Sequence, residues 1–125
     1  MKNRKKILLV DDDPRNIFAL RLTLTAKGFT CICAQEAKEG IEMVQQYPNE
    51  IGVVLMDMMM PDMDGYEAIV LLKANRATAG IPVVAVTAQA MAGDREKCIE
   101  AGAVAYLAKP IDVDRMLTVI NRHLK

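Results

Sequence analysis

Short apolar runs alternate along the chain with longer stretches in which apolar residues recur every three or four positions. The runs Lys5 to Val10, Phe29 to Ala34, Ile51 to Met56, Ile81 to Val86 and Val104 to Ala108 read as strands. Between them, Pro14 to Lys27 carries Ile17, Leu20 and Leu24 with Phe18 and Leu22 at helical spacing, and Ala37 to Tyr47 carries Ile41 and Val44. Tyr66 to Ala74 repeats this with Ile69 and Leu72, and Ala90 to Ala101 and Asp112 to Leu124 complete five predicted helices. Asp13 before Pro14 suits a helix N-cap followed by a first-turn proline, while Gly28 and Gly102 suit helix ends. Strict alternation over connections this short predicts an α/β fold of βαβ units, with right-handed crossovers, a parallel sheet and helices on both faces.

At 125 residues with a hydrophobic share of 52%, the chain reads as one domain, 1–125, with no room for a separate output domain. Its 16 basic and 16 acidic residues balance, which argues against a direct nucleic-acid or anionic-membrane partner. The apolar run after the basic start at Met1 is too short for a signal peptide or a membrane span, so a cytoplasmic protein is expected. Cys31, Cys33 and Cys98 make an odd set with no disulfide framework, and a buried-thiol reading is preferred to a zinc site because His123 is the one histidine.

The third run ends abruptly on Asp57, ahead of a loop carrying Pro61 and Gly65. A strand buried on both faces is continuously apolar, so Asp57 sits at the strand mouth, where it first reaches solvent. Taken alone, it is equally well an ordinary turn aspartate. The other strand ends change its meaning. In an open doubly wound sheet, ligands bind at the carboxyl ends of the strands, beside the point where strand order reverses. The first strand ends on Asp11 and Asp12, the fourth on Thr87 and the fifth on Lys109, whereas the second ends on Ala34 and Gln35 and offers little.

Three carboxylates at one sheet edge repel one another and call for a cation; few hard oxygen ligands with open positions describe magnesium better than calcium or zinc. Asp12 and Asp57 are the expected ligands, with Asp11 helping directly or through water. An ammonium from Lys109 and a hydroxyl from Thr87 would neutralise a phosphoryl group in flight, with the Asp57 carboxylate as nucleophile. Pro110 bars Lys109 from helical backbone and permits a cis bond, either of which would fix the direction of the lysine.

The carriers Ile-Leu-Leu-Val-Asp11-Asp12, Leu-Met-Asp57-Met-Met-Met-Pro61 with Asp64-Gly65, Val-Val-Ala-Val-Thr87-Ala88 and Tyr-Leu-Ala-Lys109-Pro110 closely resemble the receiver domain of two-component response regulators. The resemblance runs from Lys5 to about Leu124 and implies a flavodoxin-like (βα)5 sheet of strand order 2-1-3-4-5. It further implies magnesium-dependent phosphoryl transfer to Asp57 from a phosphohistidine on a histidine kinase or histidine phosphotransfer protein, with the domain catalysing its own phosphorylation and autodephosphorylation. Asp11 and Asp12 would match the acidic pair, the backbone carbonyl of Met59 a further magnesium ligand, Thr87 the switch hydroxyl, Lys109 the phosphoryl-contacting lysine and Tyr106 the switch aromatic. Met59 and Gln89, two past Asp57 and Thr87, would tune the phosphoryl lifetime. The implied output is a change in the surface of the last two helices and the last strand, controlling a downstream protein target or output domain, in a monomer or a phosphorylation-dependent dimer.

Two other classes of protein share parts of this pattern. A magnesium phosphohydrolase using an aspartyl phosphate would want a second Asp two residues after the nucleophile and a cap, but Met59 stands there and no insertion is long enough. A flavodoxin-like binding module would need a phosphate-cradling loop after the first strand, where Asp11-Asp12-Asp13 would repel the phosphate. Within the receiver family, the Met1 start favours a stand-alone regulator, whereas Pro82 to Met91 resembles receivers of hybrid histidine kinases.

Overall fold

The computed structural model describes residues 5–88 and 92–124. Strands β1 (Lys6–Val10), β2 (Cys31–Ala34), β3 (Ile51–Asp57), β4 (Val83–Thr87) and β5 (Ala105–Ala108) alternate with helices α1 (Pro14–Ala26), α2 (Ala37–Gln46), α3 (Gly65–Ala74), α4 (Asp94–Ala101) and α5 (Val113–His123). All strand pairs are parallel and the sheet order is β2-β1-β3-β4-β5. The order reverses at β1, so the cleft between the carboxyl ends of β1 and β3 is the switch point.

Period-two alternation divides the core into two layers. Leu8, Val10, Val54, Met56, Val83 and Ala85 pack toward α2, α3 and α4, where they meet Ile41, Val44, Ile69, Leu72 and Cys98. Their neighbours Ile7, Leu9, Val53, Leu55, Val84 and Val86 pack toward α1 and α5, against Leu24, Met116 and Ile120. Both sheet faces are thereby buried, which is why the central strands read as unbroken apolar runs. Of the two apolar stripes on α1, only that of Ile17, Leu20 and Leu24 turns inward; Phe18 and Leu22 are 66% and 61% exposed, because α1 touches the sheet along one side alone.

Local chemistry sets the element ends. Asp13 accepts the Arg15 amide with Pro14 in the first turn of α1, Asp64 and Glu67 form a capping box on α3, and Asp112 accepts the Arg115 amide at α5. Three boundaries differ from the expected ones by two residues or more. Phe29 donates its amide to the Leu24 carbonyl to close α1, so β2 starts at Cys31. Pro82 lacks a donor, and β4 pairs from Val83. Helix α4 starts at Asp94, with Gly93 in left-handed backbone (φ 91°) as its N-cap, and the expected start, Ala90, lies outside the described residues. No described helix is long and apolar enough to cross a membrane.

Candidate functional site

Helix and strand ends place four of the expected residues around one point. Asp57 closes β3, Asp11 and Asp12 follow β1, and Lys109 follows β5. The Lys109 ammonium lies 3.2 Å from Asp11 Oδ2 and 3.5 Å from Asp57 Oδ2, bridging positions 98 and 52 residues away along the chain. One carboxylate oxygen each from Asp11, Asp12 and Asp57 lie within 4.8 Å of one another. Thr87 closes β4, the strand paired with β3, and is buried; its carbonyl accepts the Lys109 amide at 2.8 Å, which anchors the backbone of the lysine.

Local hydrogen bonds decide which acid faces where. Asp11 Oδ1 accepts the Asp13 amide at 2.8 Å and Oδ2 receives the Asn16 side-chain amide at 3.5 Å, so Asp11 turns inward while Asp12 is exposed. Asp57 Oδ1 accepts the Met59 amide at 3.0 Å, leaving Oδ2 toward Lys109. Asp57 is only 4% exposed, so the strand end does not reach solvent as expected. Met59 lies on the surface, the Lys109–Pro110 peptide is cis, and Tyr106 packs half-buried against the α2, α3 and α4 layer. Gln89 lies outside the described residues.

Burial pushes the Asp57 carboxyl above the ordinary carboxylate range, and the Asp11 charge adds to it; the Met59 amide and the Lys109 ammonium oppose without cancelling. For Lys109, burial favours the neutral amine, but Asp57 and Asp11 outweigh it and raise its pKa. Two consequences follow. Lys109 stays cationic, so three acids face one ammonium and the site carries a surplus of two negative charges when all ionise. A divalent cation fits that surplus, and the hard oxygen donors suit magnesium. Folded Asp57 also binds its proton more tightly than the unfolded chain does, so its contribution to metal-free stability is greatest below the unfolded pKa of 3.8 and declines as pH rises through the folded value. Asp57→Asn should therefore unfold at higher urea than the unsubstituted chain at pH 7 in chelator, and the difference should vanish toward pH 3; equal midpoints at pH 7 would contradict the burial account.

A groove of about 520 Å³ opens beside Asp12, floored by Met60 and Met63, and a smaller cleft of about 260 Å³ lies on the Lys109 side. The methionines that follow Asp57 divide by depth: Met58 and Met60 are core and Met59 alone of the three is exposed. Asn16, whose amide helps orient Asp11, carries no spacing signal in the sequence, whereas Gly65, which belongs to the loop motif after Asp57, donates its amide to the Met58 carbonyl at 3.4 Å.

A doubly wound sheet with a cation-ready acidic centre at its switch point and a lysine spanning it defines a phosphoryl-transfer class of signalling domain. Residues 7–121 match the response regulator receiver domain. The polar-differentiation response regulator DivK of Brucella ovis is 32% identical over 120 residues, which cover 96% of this chain and 96% of DivK. Hybrid signal transduction histidine kinase I of Dictyostelium discoideum is 34% identical over 96% of this chain, which spans only 7% of that protein. The receiver domain of a sensor histidine kinase from Pseudomonas aeruginosa superposes with a TM-score of 0.86 at 30% identity, over 96% of this chain and 97% of that one, and its structure has a magnesium ion coordinated in the active-site cleft. The chain belongs to the response regulator receiver family, the modules of two-component systems that signal through phosphorylation. Receivers of this family bind magnesium in their acidic site and work with histidine kinases or phosphotransfer proteins and output targets.

Proposed function

We propose that Asp57 is the phosphoryl acceptor of this receiver, taking the group from a phosphohistidine of a histidine kinase or phosphotransfer protein. The observation that carries this is the Lys109 ammonium held between Asp57 and Asp11, at 3.5 and 3.2 Å, on the switch-point edge of the sheet. An Asp57 carboxylate oxygen attacks phosphorus in line, the phosphorus–nitrogen bond breaks, and the imidazole leaves with its electron pair and takes up a proton. Lys109 follows the charge onto the phosphoryl oxygens, and the Thr87 hydroxyl donates to them from the end of β4. Asp11, Asp12, Asp57 and the Met59 carbonyl would hold magnesium, which when bound neutralises phosphoryl charge. Tyr106 follows Thr87, and the surface of α4, β5 and α5 exchanges a downstream protein partner or output domain. Met59 and Gln89 flank the water path and set how fast the domain dephosphorylates itself. The balanced charge and the free cysteines Cys31, Cys33 and Cys98 support a cytosolic setting without direct nucleic-acid contact.

Incubation with a small acyl phosphate and magnesium, followed by intact mass, should show one phosphoryl adduct on the unsubstituted chain and none on Asp57→Asn. An adduct that persists in Asp57→Asn, or its absence from both, would overturn the assignment.

A further inference from the structure

The helix after the acceptor loop begins against the backbone that carries Asp57. Gly65, the first residue of α3, donates its amide to the Met58 carbonyl at 3.4 Å, and a Cβ there would lie 2.7 Å from Met58 Cα and 2.9 Å from the Asp57 carbonyl oxygen. So close a fit leaves α3 no freedom to slide past β3, and a displacement of the Asp57 backbone moves the start of α3 with it.

Tyr66, the next residue, projects toward α4. Its hydroxyl is hydrogen-bonded to the Cys98 thiol at 3.7 Å, and the Lys97 ammonium stands 4.7 Å from its ring centroid. Cys98 is fully buried, the one such residue of α4, so the hydroxyl grips the inner face of that helix. Tyr106 reaches the same place from β5: both tyrosines pack on the layer containing Cys98, and burial, with the Asp94 charge, raises the pKa of the Tyr106 hydroxyl. One ring thus arrives from the start of α3 and one from the last strand, and both pack on the layer that holds Cys98.

We propose that Tyr66 is a positioning residue that passes displacement of the Asp57 loop to α4, through its hydroxyl on Cys98 and its ring beneath Lys97. This rests on Asp57 being the phosphoryl acceptor, and it adds a route through α3 to the one through Thr87 and Tyr106. An aromatic ring with two side-chain torsions transmits a shift that a flexible aliphatic chain would absorb. Burial, with help from Cys98 and Asp94, pushes the Tyr66 hydroxyl up to about 12, so it is neutral at neutral pH, and its oxygen accepts from the Cys98 thiol.

The test compares Tyr66→Phe, which keeps the ring and loses the hydroxyl, with Tyr66→Leu, which loses both. Each full chain is treated with acyl phosphate and magnesium, intact mass gives the phosphorylated fraction, and amide NMR gives the shift changes over residues 94–101. In Tyr66→Phe the adduct yield and the thermal midpoint should stay near those of the unsubstituted chain, while the α4 shift changes per phosphorylated molecule fall to about half or less. Tyr66→Leu should lose more of them at similar yield. A merely structural role would lower the midpoint and leave the α4 response per adduct intact, and that result, or an unchanged response in both variants, overturns the proposal. Failure of the unsubstituted chain to form an adduct overturns the acceptor assignment, and this proposal with it.

Discussion

Replacing Lys109 with alanine should slow phosphoryl transfer to Asp57 by about 10² to 10³-fold, the usual effect of deleting one preorganised group that meets transition-state charge. The lysine is only 22% exposed at its side chain and touches two carboxylates, so its ammonium is already positioned and largely desolvated before a donor arrives. Charge that develops on the equatorial phosphoryl oxygens would then find no cation on the β5 side of the site. Lys109→Arg should recover part of the rate, because it restores the charge but not the compact head that fits between Asp11 and Asp57. Loss of the cation should also raise the Asp57 pKa further, since the coulombic and hydrogen-bond support of Lys109 is removed while burial and Asp11 remain. Adduct formation followed by intact mass over time, with acyl phosphate and saturating magnesium, measures the rate. A Lys109→Ala rate within tenfold of the unsubstituted chain would remove the lysine from the transfer step.

The site was legible in the sequence to the extent that burial makes strand ends visible. Ile51 to Met56 has no polar side chain, so Asp57 stands out as the residue where the sheet stops; Asp11, Thr87 and Lys109 stand out for the same reason. What pattern could not supply was the division of labour between adjacent acids. The sequence makes Asp12 and Asp57 the expected metal ligands with Asp11 helping, but it does not show that Asp11 is the buried acid paired with Lys109 and Asp12 the exposed one. That outcome depends on the Asp13 amide and the Asn16 side chain turning one carboxylate inward, and such contacts have no periodicity to betray them. The start of α4 was missed for a related reason. Its residues Asp94 to Ala101 are mostly polar and bury only Cys98 completely, so the small apolar residues ahead of Gly93 extended the helical reading past the true cap. Tyr66 shows the same limit: spacing along α3 separates inward Ile69 and Leu72 from the rest but says nothing of which neighbour a flanking tyrosine meets.

Gly65→Ala should destabilise the domain, because α3 packs directly against the end of the strand that carries Asp57. The added methyl would fall 2.5 Å from Met58 Sδ, 2.7 Å from Met58 Cα and 2.9 Å from the Asp57 carbonyl oxygen. A thioether can swing away, but two of the three atoms are backbone of the strand end and its loop, and they can yield only by moving the acceptor. Overpacking of this kind costs about 1–3 kcal/mol and more where backbone must shift, whereas alanine regains at most about 1 kcal/mol of helix propensity. The clash wins, and the net loss should be about 2 kcal/mol, seen as a thermal midpoint lowered by roughly 6–10 °C for a domain of this size. Gly80 provides the control: a Cβ there meets nothing within 4 Å, so Gly80→Ala should leave the midpoint almost unchanged. The two effects of Gly65→Ala are linked, because relief of the clash carries the Asp57 carboxylate away from Lys109 and slows adduct formation even in the molecules that remain folded. Calorimetry of both glycine variants, with adduct rates measured well below the lowered midpoint, separates stability from positioning. A Gly65→Ala domain that melts with the unsubstituted chain would mean that α3 can back away from β3 at no cost, and would take from Tyr66 the rigid footing its coupling role requires.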